Sequence, residues 1–162
     1  MNDAAVKSGM QEIVFDEVFP HTPAAIWKVM TTGELMSRWL MSPKGFEPVK
    51  GNHFSFHTPP DGEWDGVIHC EVLEIVPNER LVYTWKSGHE SNGVYVSRLD
   101  TLVTWTLAGH DSGTRLRLLH SGFIMPKNMS MFRNINAGWS KVVPKLIAIV
   151  AEQADAAAGK NT

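Results

Sequence analysis

Along the middle of the chain, apolar and polar positions alternate with a period of two. In LVYTW, residues 81–85, Leu81, Tyr83 and Trp85 share one face and Thr84 takes the other. In LDTLVTWTL, residues 99–107, Val103, Trp105 and Leu107 oppose Thr104 and Thr106. Successive strand side chains point to opposite faces of a sheet, so the pattern predicts strands with one face covered and one facing water. HFSFH at 53–57, VIHCEVLEIV at 67–76 and TRLRLLHSGF at 114–123 belong to the same run. The segments between them, TPPDGEWDG, PNER, a glycine-containing loop at 86–98 and AGHDSG, carry turn residues, and together these pieces predict an antiparallel meander. An earlier strand, IVFDEVF at 13–19, stops at Pro20.

Elsewhere the period lengthens. Thr22 followed by Pro23 is an N-cap with proline at the first helical position, and predicts a helix to about residue 30. Thr31 and Glu34 have capping-box spacing, which predicts a second short helix through residue 39. Near the C-terminus Phe132, Ile135, Trp139, Val142, Leu146, Val150 and Ala154 recur at steps of three and four, the stripe of a helix lying on a core. Pro144 lies inside that stripe and predicts a kink near 140–144, or a helix that begins there. The alanine-rich tail should fray.

The fold class this order predicts is α+β, a helix-grip arrangement. A curved antiparallel sheet wraps around a long C-terminal helix, with two short helices after the first strand. One domain should span 13–156, between flexible ends at 1–12 and 157–162. A bent sheet cannot pack flush along a straight helix, so a hollow between them is expected.

Composition narrows the function classes. A chain of 162 residues with 43% apolar composition suits one domain, large enough to bury about 70% of its unfolded surface. The net charge of −2 supplies no basic field for nucleic acid. Cys70 is the single cysteine, so no internal disulfide forms, which fits a reducing compartment. The N-terminal residues lack the apolar core of a secretory signal, and the run LIAIVA is too short to span a bilayer. A cytoplasmic location with no membrane span is therefore expected.

The candidate chemistry starts at His120. Continuing the alternation from Leu116 and Leu118 puts this imidazole on the apolar face, near the end of its strand where a hollow would open. Three roles remain open for it: a brace tied to a loop carbonyl, a polar handle at the head of an apolar pocket, or an acid/base. Ser121 cannot be its nucleophilic partner, because neighbours on a strand face apart. His53 and His57 would stand roughly 13 Å apart on a strand, too far to share a metal, and none is expected. In strict alternation one of Glu71 and Glu74 faces inward, unless a bulge changes which. The aromatic side chains Trp39, Trp64, Tyr83, Trp85, Trp105 and Trp139 converge beneath the helix, where they suit either a core or the walls of an apolar cavity.

FPHTPAAIWKVMTTGELMSRW, CEVLEIVPNERLVYTW, VTWTLAGHDSGTRLRLLHSGF and AGWSKVVPKL, in this order from about 13 to 153, resemble the START-like (SRPBCC) superfamily, in its heat-shock chaperone ATPase activator-like branch. The resemblance implies a helix-grip fold whose cavity binds a small hydrophobic or amphipathic molecule. Trp39, Trp64, Tyr83, Trp85, Trp105, His120, Phe132 and Trp139 are the candidate ligand-binding residues. It also admits a protein-interaction module that contacts a chaperone in the stress response, or a polyketide cyclase or dehydratase-like enzyme using an inward His or Glu. The reading leans to a binding module over an enzyme, with no cofactor and with the state of assembly open.

Overall fold

The structure is a computed structural model, described here for residues 9–60, 65–88 and 98–160. Strand β1 (Met10–Phe19) leads into helices α1 (Pro23–Thr31) and α2 (Gly33–Trp39). Six strands follow: β2 (Pro43–Lys44), β3 (His53–His57), β4 (Val67–Val76), β5 (Arg80–Ser87), β6 (Leu99–His110) and β7 (Gly113–Ile124). The chain closes with α3 (Met129–Lys160). All seven strands form one antiparallel sheet in the order β1-β7-β6-β5-β4-β3-β2. The fold class read from the sequence holds, with β2 added; two residues carry no period to detect.

The inner face of the sheet carries the row that alternation assigned to it. His120 sits opposite Ile13 on one side and Val103 on the other, and Leu116, Leu118, Trp105, Leu81 and Tyr83 are buried on the same face. Helix α3 lies across this face with Trp139, Val143, Leu146, Ile149 and Val150 buried. The stripe differs from the sequence reading in including Val143 and Ile149, while Ala154 is exposed. Pro144 neither ends nor begins the helix, which is continuous from Met129. The proline is exposed, as is Ser140, whose carbonyl it deprives of a donor, so water can serve that group.

Thr22 caps α1 as its spacing implies: its hydroxyl accepts from Ala25 N at 3.2 Å, and Pro23 opens the helix. Thr22→Ala should therefore lower stability by about 1 kcal/mol in a urea titration. The second cap is a correction. Thr31 is the last residue of α1 rather than the cap of α2, and its hydroxyl donates to Trp27 O at 2.7 Å. Thr32 occupies the N-cap of α2 but donates back to Lys28 O at 2.5 Å. With one residue between the helices, both threonines serve the carbonyls that end α1, and none is left for the amides that begin α2.

Neither glutamate of β4 points inward. The register slips between Val72 and Glu74, and this bulge turns Glu74 out to Arg80 at 3.1 Å, while Glu71 stands 3.9 Å from His53 on the outer face. That removes the inward carboxylate an acid/base site would need. Among the described residues no helix is long and apolar enough to cross a membrane, and no group of three or more His, Cys, Asp or Glu could hold a metal ion.

Candidate functional site

His120 is fully buried, and its hydrogen-bond geometry fixes its chemistry. Trp139 Nε1 lies 3.0 Å from His120 Nδ1. An indole N–H only donates, so Nδ1 must be the unprotonated acceptor. The neutral ring then carries its proton on Nε2, which donates to Thr101 Oγ1 at 2.7 Å, and Thr101 passes its own hydroxyl hydrogen to Trp85 O at 2.7 Å. Every group in this chain of three bonds has a partner. Burial pushes the imidazole pKa down to about 3, and a proton on Nδ1 would face the Trp139 N–H head on. The imidazole is a neutral brace, and its partners are a threonine and a tryptophan rather than a loop carbonyl.

The aromatic residues form one contiguous stack through the core. Trp39 meets Trp105 edge-on at 5.8 Å, Trp105 meets Trp139 at 5.6 Å, and Trp139 meets Trp85 at 5.7 Å. Trp39 donates its indole hydrogen to Val29 O, and Trp105 to the Tyr83 hydroxyl at 3.2 Å. Burial raises the Tyr83 and Cys70 pKa values well above their usual range, so both stay protonated and neither is a ready nucleophile. Phe132 is half-buried, edge-on to Phe123 at 5.2 Å. Most of the hollow beneath the helix is thus filled with rings. Trp64 and the central part of the 86–98 loop lie outside the described residues.

Space remains at one edge. A pocket of about 290 Å³ opens between the end of α2, strand β5 and the first half of α3. Leu40 and Met41 form one side, and Trp85 and Trp139 form the aromatic wall. Helix α3 supplies Asn134, Ile135, Gly138 and Val142, which sit at helical spacing on one face. Of the candidate ligand-binding residues, Trp85 and Trp139 line this pocket; Trp39, Tyr83, Trp105 and His120 are buried in the packing of rings and strands. Sequence reasoning missed Leu40, Met41, Asn134, Ile135, Gly138 and Val142 as lining. One signal was available: Gly138 interrupts an apolar helical stripe, a position where glycine costs about 1 kcal/mol relative to alanine.

A second cleft, about 480 Å³, lies between α2 and residues 42–47, where Glu34, Ser37, Ser42 and Glu47 give it a polar lining. It is larger, but a single aromatic ring, Phe46, faces it among polar side chains. The smaller apolar pocket is the better candidate site.

Residues 20–151 match the family described as "Activator of Hsp90 ATPase homolog 1-like protein". The chain belongs to this family. Solved structures share its helix-grip architecture. Protein MLL2253 from Mesorhizobium loti is 31% identical with a TM-score of 0.76, over 88% of this chain and 98% of that one. CalU16 from Micromonospora echinospora is 20% identical with a TM-score of 0.66, covering 89% of this chain and 78% of that one. The Aha1 dimer from Colwellia psychrerythraea gives 17% identity and a TM-score of 0.65, over 84% and 92% of the two chains. The last two likenesses concern fold alone. No curated protein matches the sequence significantly.

Proposed function

We propose that this activator-like chain binds a small hydrophobic or amphipathic molecule in the pocket between α2, β5 and α3. The observation that carries the reading is the wall itself: Trp85 and Trp139 border about 290 Å³ of apolar space while buried side chains fill the region behind them. The pocket is an open cleft edged by two indoles over a filled core, which is the shape and lining of a small-ligand site. In this reading Trp85 and Trp139 touch the ligand. His120, Thr101, Trp105 and Tyr83 hold the wall from behind, and the protein works in the cytoplasm as a carrier or sensor rather than as a catalyst. Among the described residues no titratable group lines the pocket, which favours binding over acid/base chemistry.

Thermal unfolding with a broad panel of apolar ring compounds tests this. A ligand at a hundred times its dissociation constant should stabilise the fold by about 2.7 kcal/mol, which is several degrees in Tm for a chain of this size. Quenching of tryptophan fluorescence should accompany the shift. A panel that moves neither signal would remove the reading.

A further inference from the structure

The pocket also restricts the chemistry of its occupant, on the reading that it is a ligand site. Its lining is aliphatic at Leu40, Met41, Ile135 and Val142 and, among the described residues, carries no ionisable side chain. Arg133 and Lys141 are neighbours in sequence of lining positions, but both are exposed and neither lines the pocket. The hydrogen-bonding groups behind the wall are already engaged, since Trp139 N–H is spent on His120 and His120 on Thr101. Two lining side chains keep capacity to spare: Trp85 and Asn134 make no side-chain hydrogen bond among the described residues. Trp85 offers one N–H donor, and Asn134 a carboxamide that both donates and accepts.

We infer that the occupant is an uncharged molecule of one or two fused rings carrying a single hydrogen-bonding group, and that the pocket discriminates against carboxylates and amines of the same shape. A charge drawn against Trp85 and Trp139 would lose its hydration with no counter-ion in the lining to replace it. A neutral amide or alcohol needs only the donor of Trp85 or the carboxamide of Asn134. The volume of about 290 Å³ lies at the small end for ligand sites, a size suited to one or two fused rings.

Calorimetric titration at pH 7.5 with 2-naphthamide, naphthalene-2-methanol, 2-naphthoate and 2-naphthylmethylamine tests the inference. The two neutral compounds should bind at least tenfold more tightly than the two charged ones. The variant Asn134→Lys, at an exposed helix position, places a cation at the rim and removes the carboxamide, so it should tighten naphthoate at least tenfold and weaken naphthamide, reversing the order of the two. Naphthoate binding as tightly as naphthamide to the unaltered protein would overturn the discrimination and leave the ligand site standing. An Asn134→Lys protein that fails to gain naphthoate would overturn the placement of the polar group. Absence of binding by all four would overturn the ligand-site reading and this inference together.

Discussion

The Gly138→Leu protein is expected to melt higher than the unaltered chain and to lose ligand binding. Positions 134, 135 and 142, at helical spacing from 138, line the pocket, as does Gly138 itself, and a Cβ built there meets no atom within 4 Å. A side chain at 138 therefore projects into open apolar space. Replacing glycine in mid-helix recovers about 1 kcal/mol of propensity, and covering leucine adds part of the roughly 1.5–3 kcal/mol that full burial is worth. A net gain of about 1–3 kcal/mol corresponds to a rise of roughly 2–12 °C. The same isobutyl group occupies the volume that a ring-sized ligand needs, so affinity should fall at least tenfold. Gly138→Ala separates the two effects: it gains helix propensity, fills little of the pocket, and should keep most of the binding. Undiminished binding by Gly138→Leu would show that the ligand sits elsewhere. A glycine retained where leucine would stabilise the fold is accounted for if the space it leaves is used.

The sheet was legible because its information is local. Arg115, Leu116, Arg117 and Leu118 alternate cleanly, so the inward position of His120 follows by counting, and β6 and β7 pair in that register without interruption from Leu102 to His110. Its bonding was not legible, because Thr101 and Trp139 each lie 19 residues away, on different elements. The expectation that one of Glu71 and Glu74 faces inward failed for a related reason. Strict alternation assumes an unbroken register, and one bulged residue reverses the face of every side chain beyond it. At the Thr31–Glu34 pair a valid local motif lost to a competing one, since a threonine hydroxyl at a helix end can bond backward to a carbonyl as readily as forward to an amide. The pocket was the least legible part. Trp85 and Trp139 were among the candidates, but Leu40, Met41 and Asn134 become lining only because α2 ends against α3, a tertiary fact with no period in the sequence.

The pH dependence of stability should expose the buried imidazole. In the unfolded chain His120 titrates near its ordinary value of about 6.5, whereas in the fold burial holds it near 3. Between those limits the unfolded state binds the extra proton. Stability attributable to this group is thus fully present above pH 6.5 and is lost at about 1.4 kcal/mol per pH unit as the pH falls toward 3. His120→Phe keeps a ring against Trp85, Phe123 and Trp139, which the imidazole meets at 5.4, 4.7 and 6.0 Å. It strands the Trp139 N–H, whose acceptor is gone, at a cost of roughly 1–3 kcal/mol. At pH 7.5 the variant should therefore be less stable in urea titrations. Because it cannot take up the proton, it lacks this acid-side slope, so the two stabilities should converge near pH 5 and cross below it. A constant difference between pH 7.5 and 4.5 would mean that the imidazole titrates freely, and the neutral brace would be wrong. Ligand affinity in the same variant reads the second half of the argument. If Trp139 is held as a pocket wall by its bond to Nδ1, loss of that bond should weaken a ring ligand several-fold at pH 7.5, where the variant is still folded. If the packing of Trp105 and Trp85 alone fixes the indole, affinity will stay unchanged while stability falls.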